Sequence, residues 1–213
     1  MPRTYFLTRP NHDDATHYLA QWIGETTKTA EENGLKVIEL RGKKVKREDT
    51  EKILAKMHPD LVVFTGHGDE NTVTGHDREP LIVAGKNEKL LKSKIVYAIA
   101  CSSGKNLGPK SVEAGAKSYN GYAEPFIFFY EPEKVSRPLQ DDTARLFLEP
   151  AQLFVKALLK GNSVKDARKK KQELLEKNIN FLYSSSNPNV GIATFLWTNG
   201  EIFVSCGDQE ATI

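Results

Sequence analysis

Only two cysteines, Cys101 and Cys206, occur in the chain. So few thiols argue against a disulfide scaffold and for reduced side chains that must be judged one at a time. Long hydrophobic runs are missing too. No apolar stretch approaches the roughly 18 residues that a membrane helix needs, and Met1-Pro2-Arg3-Thr4 leads straight into a strand-like segment rather than a signal peptide. A cytoplasmic protein with no membrane partner is expected. A large excess of either charge is also lacking, with 30 Lys and Arg against 28 Asp and Glu. The formal net charge is +2, and the run Lys169-Lys170-Lys171 is followed at once by Glu173 and Glu176. That mixture on a helical pattern predicts a solvated helix face, and nucleic acid is not expected as a partner.

What is present suits a packed protein. Hydrophobic residues make up 39% of the 213 and charged residues 27%, the balance of an ordinary folded chain. Residues 1–213 are read as one domain. Tyr5-Phe6-Leu7-Thr8 predicts a strand, after which Asn11 or Asp13 caps a helix carrying Tyr18, Leu19, Trp22 and Ile23, stopped by Asn33-Gly34. Leu35 to Leu40 predicts a second strand, and Ile53, Leu54 and Met57 a helix ending before Pro59. Two continuous apolar runs, Asp60 to Thr65 and Ile95 to Ala100, read as strands buried on both faces of a parallel sheet, with a hairpin excursion around Leu81-Ile82-Val83 between them. Strands are expected at Ser118 to Tyr122 and at Phe126 to Phe129, and helices from about Thr143 to Leu159 and Val164 to Asn178. Ile192 to Trp197, the turn Asn199-Gly200 and Ile202 to Val204 predict a β-hairpin. The alternation gives an α/β fold, a mostly parallel central sheet with helices on both faces.

Sites in such sheets lie at the carboxyl ends of the strands. His67 and Cys101 both fall there, 34 positions apart, on strands that a hairpin and one crossover can make neighbours about 4.8 Å apart. A thiol beside an imidazole is the minimum apparatus of nucleophilic acyl transfer, since the base promotes thiolate formation and then protonates the leaving amine. Gly66 and Gly68 allow a sharp turn and the approach of a substrate carbonyl, so the N–H groups of Gly68 and Cys101 are candidates for an oxyanion hole.

An apolar strand ending in His-Gly, then an apolar strand ending in Ala-Cys, resembles the caspase-like (clan CD) cysteine peptidases: caspases, legumains, gingipains, clostripain and separases. Ala100-Cys101-Ser102-Ser103-Gly104 and Gly115-Ala116-Lys117-Ser118-Tyr119-Asn120-Gly121 are most similar to the prokaryotic CHAT-domain branch. The resemblance implies a caspase-like three-layer sandwich and a cysteine endopeptidase, with Cys101 as nucleophile and His67 as general base and acid. It implies no cofactor, a protein or peptide substrate, and room for an activating partner protein. Ile99 stands where caspases carry glutamine, two positions before the cysteine and close to the specificity pocket, so aspartate recognition of the caspase kind is not implied. Ile99 and Glu124 are the candidate substrate-binding residues. An isoleucine wall favours an uncharged side chain on the acyl side of the scissile bond, whereas Glu124 could pair with Lys or Arg.

Other readings stay open. The same sheet could serve as a non-catalytic or partner-activated interaction module. His67, His76 and Cys101 could form an open zinc site, although no Cys-x-x-Cys or His-x-x-x-His spacing is present and no metal is expected. A flavodoxin-like ligand domain is disfavoured, because Thr8-Arg9-Pro10 follows the first strand in place of a Gly-rich loop. His12, His17 and His58 are expected on the surface. Cys206 and the aromatics Phe126, Phe128, Phe129 and Tyr130 are read as packing residues.

Overall fold

A computed structural model describes residues 3–184 and 189–213, so Met1 and Pro2 of the opening segment lie outside it. Strand β1 (Thr4–Arg9) leads to helices α1 (Asp14–Gly24) and α2 (Thr26–Glu32), then β2 (Lys36–Arg41), α3 (Arg47–Met57) and β3 (Leu61–Thr65). The short strands β4 (Gly68–Asp69), β5 (Thr72–Thr74) and β6 (Pro80–Val83) form a separate antiparallel sheet. After them come β7 (Ile95–Ile99), α4 (Leu107–Glu113), β8 (Ser118–Tyr122), α5 (Asp142–Leu159), α6 (Val164–Ser184), α7 (Ala193–Glu201) and β9 (Phe203–Gly207).

The main sheet has the order β2-β1-β3-β7-β8-β9, parallel throughout except for the antiparallel edge strand β9. Side chains alternate across a strand, so each apolar run feeds two cores. Tyr5, Leu7, Val63, Tyr97 and Ile99 pack with Trp22 of α1, Phe154 of α5 and Leu175 of α6. Phe6, Val62, Phe64, Val96 and Ala98 face the other way, onto Leu54 of α3, Leu107 of α4 and the small sheet. Three layers result, and they account for the unbroken apolar runs of β3 and β7. Among the described residues no helix is long and apolar enough to cross a membrane.

Three local expectations are corrected. Residues 192–201 do not form one arm of a hairpin: Ala193, Leu196 and Asn199 are the buried positions of α7, a spacing of three that belongs to a helix and not to alternating strand faces. Asn199, in the expected turn, is buried, and its side-chain amide donates to Ile127 O at 2.6 Å and accepts from Ile127 N at 3.2 Å. That pairing replaces a sheet ladder, so Phe126 to Phe129 runs as irregular chain rather than as a strand. The third correction is Lys171. Lys169 and Lys170 are solvated, but Lys171 falls on the buried stripe Ala167, Lys171, Leu175, Asn178 and Leu182 of α6 and is 2% exposed. Its ammonium lies 3.7 Å from the centre of the Phe203 ring and 5.1 Å from that of Tyr122. Desolvated cation–π contacts of this kind contribute about 2 kcal/mol. Burial, with the charge of Arg168, pushes Lys171 down to about 7.

Candidate active site

β3 and β7 pair in parallel with Thr65 opposite Ile99, so His67 and Cys101 each stand two residues beyond matched strand ends. Gly66 makes this departure possible. Its φ is +151°, and a Cβ there would sit 2.5 Å from Thr74 O, which forces the hairpin away from the turn for any other residue. A Cβ on Gly68 would meet Thr72 O at 2.7 Å and Cys101 O at 3.2 Å, a measure of how closely the histidine turn approaches the cysteine backbone. Past Cys101 the chain turns through Ser102, which holds φ +56°, and Ser102 N donates to Glu124 O at 3.2 Å.

His67 does not stand alone. Its Nε2 lies 2.6 Å from Oδ2 of Asp13, the residue that caps α1 beside the end of the neighbouring strand β1. The other carboxylate oxygen of Asp13 accepts from Thr16 N at 2.8 Å, and Asp13 N donates back to Thr16 Oγ1 at 3.1 Å. One carboxylate therefore caps a helix and holds an imidazole. Burial alone would raise the Asp13 carboxyl, but the bonds from Thr16 and His67 prevail and hold it at about 2. The sequence showed Asp13 only as a cap. Its second role comes from the β1–β3 pairing, which no local pattern encodes.

Cys101 and His67 line one cleft of about 160 Å³, with Thr16, Leu19, Ile99, Phe126 and Phe128 among its walls. The Cys101 thiol donates weakly to Phe126 O at 3.9 Å. Burial pushes this thiol up, more strongly than its backbone hydrogen bonds pull it down. A roomier cleft of about 550 Å³ opens at the opposite, amino ends of β3 and β7 beside Asp60 and Lys94, but it is lined by no thiol. Ile99 is buried and forms part of the cleft wall. Glu124 reaches the site only through its carbonyl. Its side chain is 58% exposed, outside the cleft, and 3.8 Å from Lys105.

The imidazoles are arranged differently from the surface positions expected of them. His58 is exposed, but His17 is half-buried with Nε2 3.2 Å from Val135 O. His12 is wedged edge-on between His67 and His76, at ring-centre distances of 5.6 and 5.2 Å. Among the described residues, the ligand-bearing side chains that converge are His12, Asp13 and His67, and His12, His76 and Asp77. Cys101 joins neither group. Both cysteines are unpaired, and Cys206 is half-buried on the edge strand opposite Tyr119.

No protein-family model and no curated protein sequence matches the chain. Its fold is similar to that of the Arg-specific cysteine proteinase gingipain R, at 12% identity and a TM-score of 0.65, over 99% of this chain and 47% of that one. A complex of the pro- and mature domains of Porphyromonas gingivalis RgpB gives 10% identity and a TM-score of 0.64, over 99% and 48%. A chain of the Saccharomyces cerevisiae separase–securin complex gives 15% and 0.51, over 97% of this chain and 12% of that one. This chain thus spans about half the length of the gingipain chains it matches. Its fold is the α/β caspase-like sandwich of these cysteine peptidases.

Proposed function

We propose that residues 1–213 form one caspase-like domain acting as a cysteine endopeptidase, with Cys101 as nucleophile and His67 as general base and acid. The observation that carries this reading is the Asp13-held imidazole sharing a cleft with a thiol at the ends of adjacent parallel strands. Asp13 occupies Nε2 of His67, which leaves Nδ1 to take the thiol proton. As that proton leaves, the Cys101 sulfur attacks the substrate carbonyl, and the N–H groups of Gly68 and Cys101 receive the developing oxyanion. His67 then protonates the leaving amine and activates the water that hydrolyses the acyl-enzyme. The motif Ala100-Cys101-Ser102-Ser103-Gly104 supports the CHAT-domain branch within this group of peptidases. Labelling with a peptidyl electrophile followed by mass spectrometry tests the assignment: modification is expected at Cys101, and modification confined to Cys206 would refute it.

The thiol's contact with Phe126 O favours a second reading, in which a substrate or partner protein completes the pair. Because burial raises the Cys101 thiol, deprotonation accompanies attack rather than preceding it. Iodoacetamide should therefore alkylate Cys101 with a pH midpoint above the ordinary thiol value of about 8.5. A midpoint well below neutrality would show a resting ion pair instead.

Asp13→Asn separates orientation from capping, because Asn caps helices about as well as Asp. Melting should be nearly unchanged, while kcat falls roughly 10²-fold or more as the ring loses its anionic partner. Equal losses of stability and rate would reduce Asp13 to a structural cap.

The Arg specificity named for gingipain R would here need a carboxylate in the cleft, and none of the residues lining it is acidic. With Leu19, Ile99 and Phe126 as walls, a peptide library varied on the acyl side of the scissile bond should select uncharged side chains. Strong Lys or Arg selectivity abolished by Glu124→Gln would reverse this, and strong Asp selectivity would contradict the pocket assignment.

A further inference from the structure

We propose that His12, Asp13 and His67 form a binding site for a divalent transition metal of the zinc type, and that its occupancy silences the enzyme by capturing the imidazole of His67. The silencing rests on the function proposed above; the binding does not.

Three side chains each offer one ligand atom, and these atoms lie within 4.8 Å of one another. Asp13 Oδ2 is 2.6 Å from His67 Nε2 and 3.6 Å from His12 Nε2. A tetrahedral site with metal–nitrogen bonds of about 2.0–2.1 Å separates neighbouring ligand atoms by about 3.3 Å, which these spacings bracket. Small side-chain rotations suffice. Two imidazoles and one carboxylate, with the fourth position open to water, suit zinc rather than calcium or magnesium, which take oxygen donors.

His12 is the residue that sets this group apart from an ordinary His–Asp pair. Its side chain is 11% exposed, and among the described residues neither ring nitrogen has a hydrogen-bond partner. A neutral imidazole buried in this way keeps a lone pair that no described residue hydrogen-bonds, and buried polar atoms are otherwise almost always paired. Nδ1 of His76, packed on the other face of His12, is buried and unpartnered as well. Asp13 is already fixed by its capping bonds, and the partly exposed side chains of Asp13 and His67 leave a route from solvent.

The chemical consequence follows from the ring. Metal on Nε2 of His67 displaces that nitrogen's proton, and the neutral imidazole then carries its one proton on Nδ1. The nitrogen left for Cys101 becomes a donor, so it cannot accept the thiol proton. Activity in EDTA should therefore be full, with added zinc inhibitory.

The test begins with calorimetric titration of zinc chloride into the Cys101→Ala protein, from which the thiol as ligand is gone, and with cobalt(II) substitution read by visible absorption. One equivalent is expected, with tetrahedral cobalt bands. His12→Phe retains a ring between His67 and His76 but no ligand, and should weaken binding at least tenfold. His12→Gln provides a second variant, and each is checked for its melting temperature. In the active enzyme zinc should inhibit hydrolysis with a midpoint matching the binding constant, raised at least tenfold in His12→Phe relative to that variant's own zinc-free rate. Absence of binding in Cys101→Ala, or undiminished binding in both folded His12 variants, overturns the site. Binding without inhibition of an active enzyme overturns the silencing. A protein that binds zinc through His12 but hydrolyses no peptide under any condition keeps the site and refutes the peptidase reading.

Discussion

Cys101→Ala is expected to abolish peptide hydrolysis, with kcat falling by on the order of 10⁴-fold or more, because the acyl-enzyme cannot form without the sulfur. The fold should survive the change. The substitution removes one partly buried atom whose hydrogen bond is a weak contact at 3.9 Å, so Tm should move by no more than about 4 °C. Cys206→Ala is the matched control. Cys206 pairs with Tyr119 near the amino end of β8, whereas Cys101 follows the carboxyl end of β7, so the two thiols lie toward opposite ends of the sheet. Loss of activity in the first variant and retention in the second would assign the nucleophile. Retained turnover in Cys101→Ala would end the peptidase reading, whatever the similarity of fold.

The strands that place this thiol were legible because burial on both faces leaves a local mark. Leu61 to Thr65 and Ile95 to Ile99 are fully buried runs, and two positions beyond each stands a residue able to do chemistry, His67 and Cys101. The hairpin expected after Ile192 failed for the opposite reason. Asn199-Gly200 between the runs Ile192 to Trp197 and Ile202 to Val204 has the local signature of a tight turn, yet the Asn199 amide pairs with the backbone of Ile127, 72 positions away. Lys171 was hidden by its neighbours, since two of three consecutive lysines are solvated and only the stripe through Ala167 and Leu175 marks the third as buried. At the candidate site, Asp13 was legible only as a helix cap and His12 only as a surface residue, because their partners come from the far side of a strand pairing. Composition and spacing reveal which residues end a strand, but not which loops meet there.

His67→Ala should lower kcat/KM about 10³-fold at neutral pH, within the range that a positioned base contributes. The more telling result is the shape of the loss. Without an imidazole, the burial-raised Cys101 thiol must ionise unaided, so the residual rate should climb nearly tenfold per pH unit until the thiol itself titrates, above its ordinary range. The deficit relative to the parent enzyme should accordingly shrink in alkaline solution. Exogenous imidazole should restore part of the activity, because the side chain is 28% exposed and its removal opens the cleft to solvent. Stability should change little, since Asp13 keeps its capping bonds to Thr16 after its partner is gone. A loss that is the same at every pH and insensitive to imidazole would mean that His67 shapes the turn between Gly66 and Gly68 rather than moving the proton, and the base would then have to be sought elsewhere.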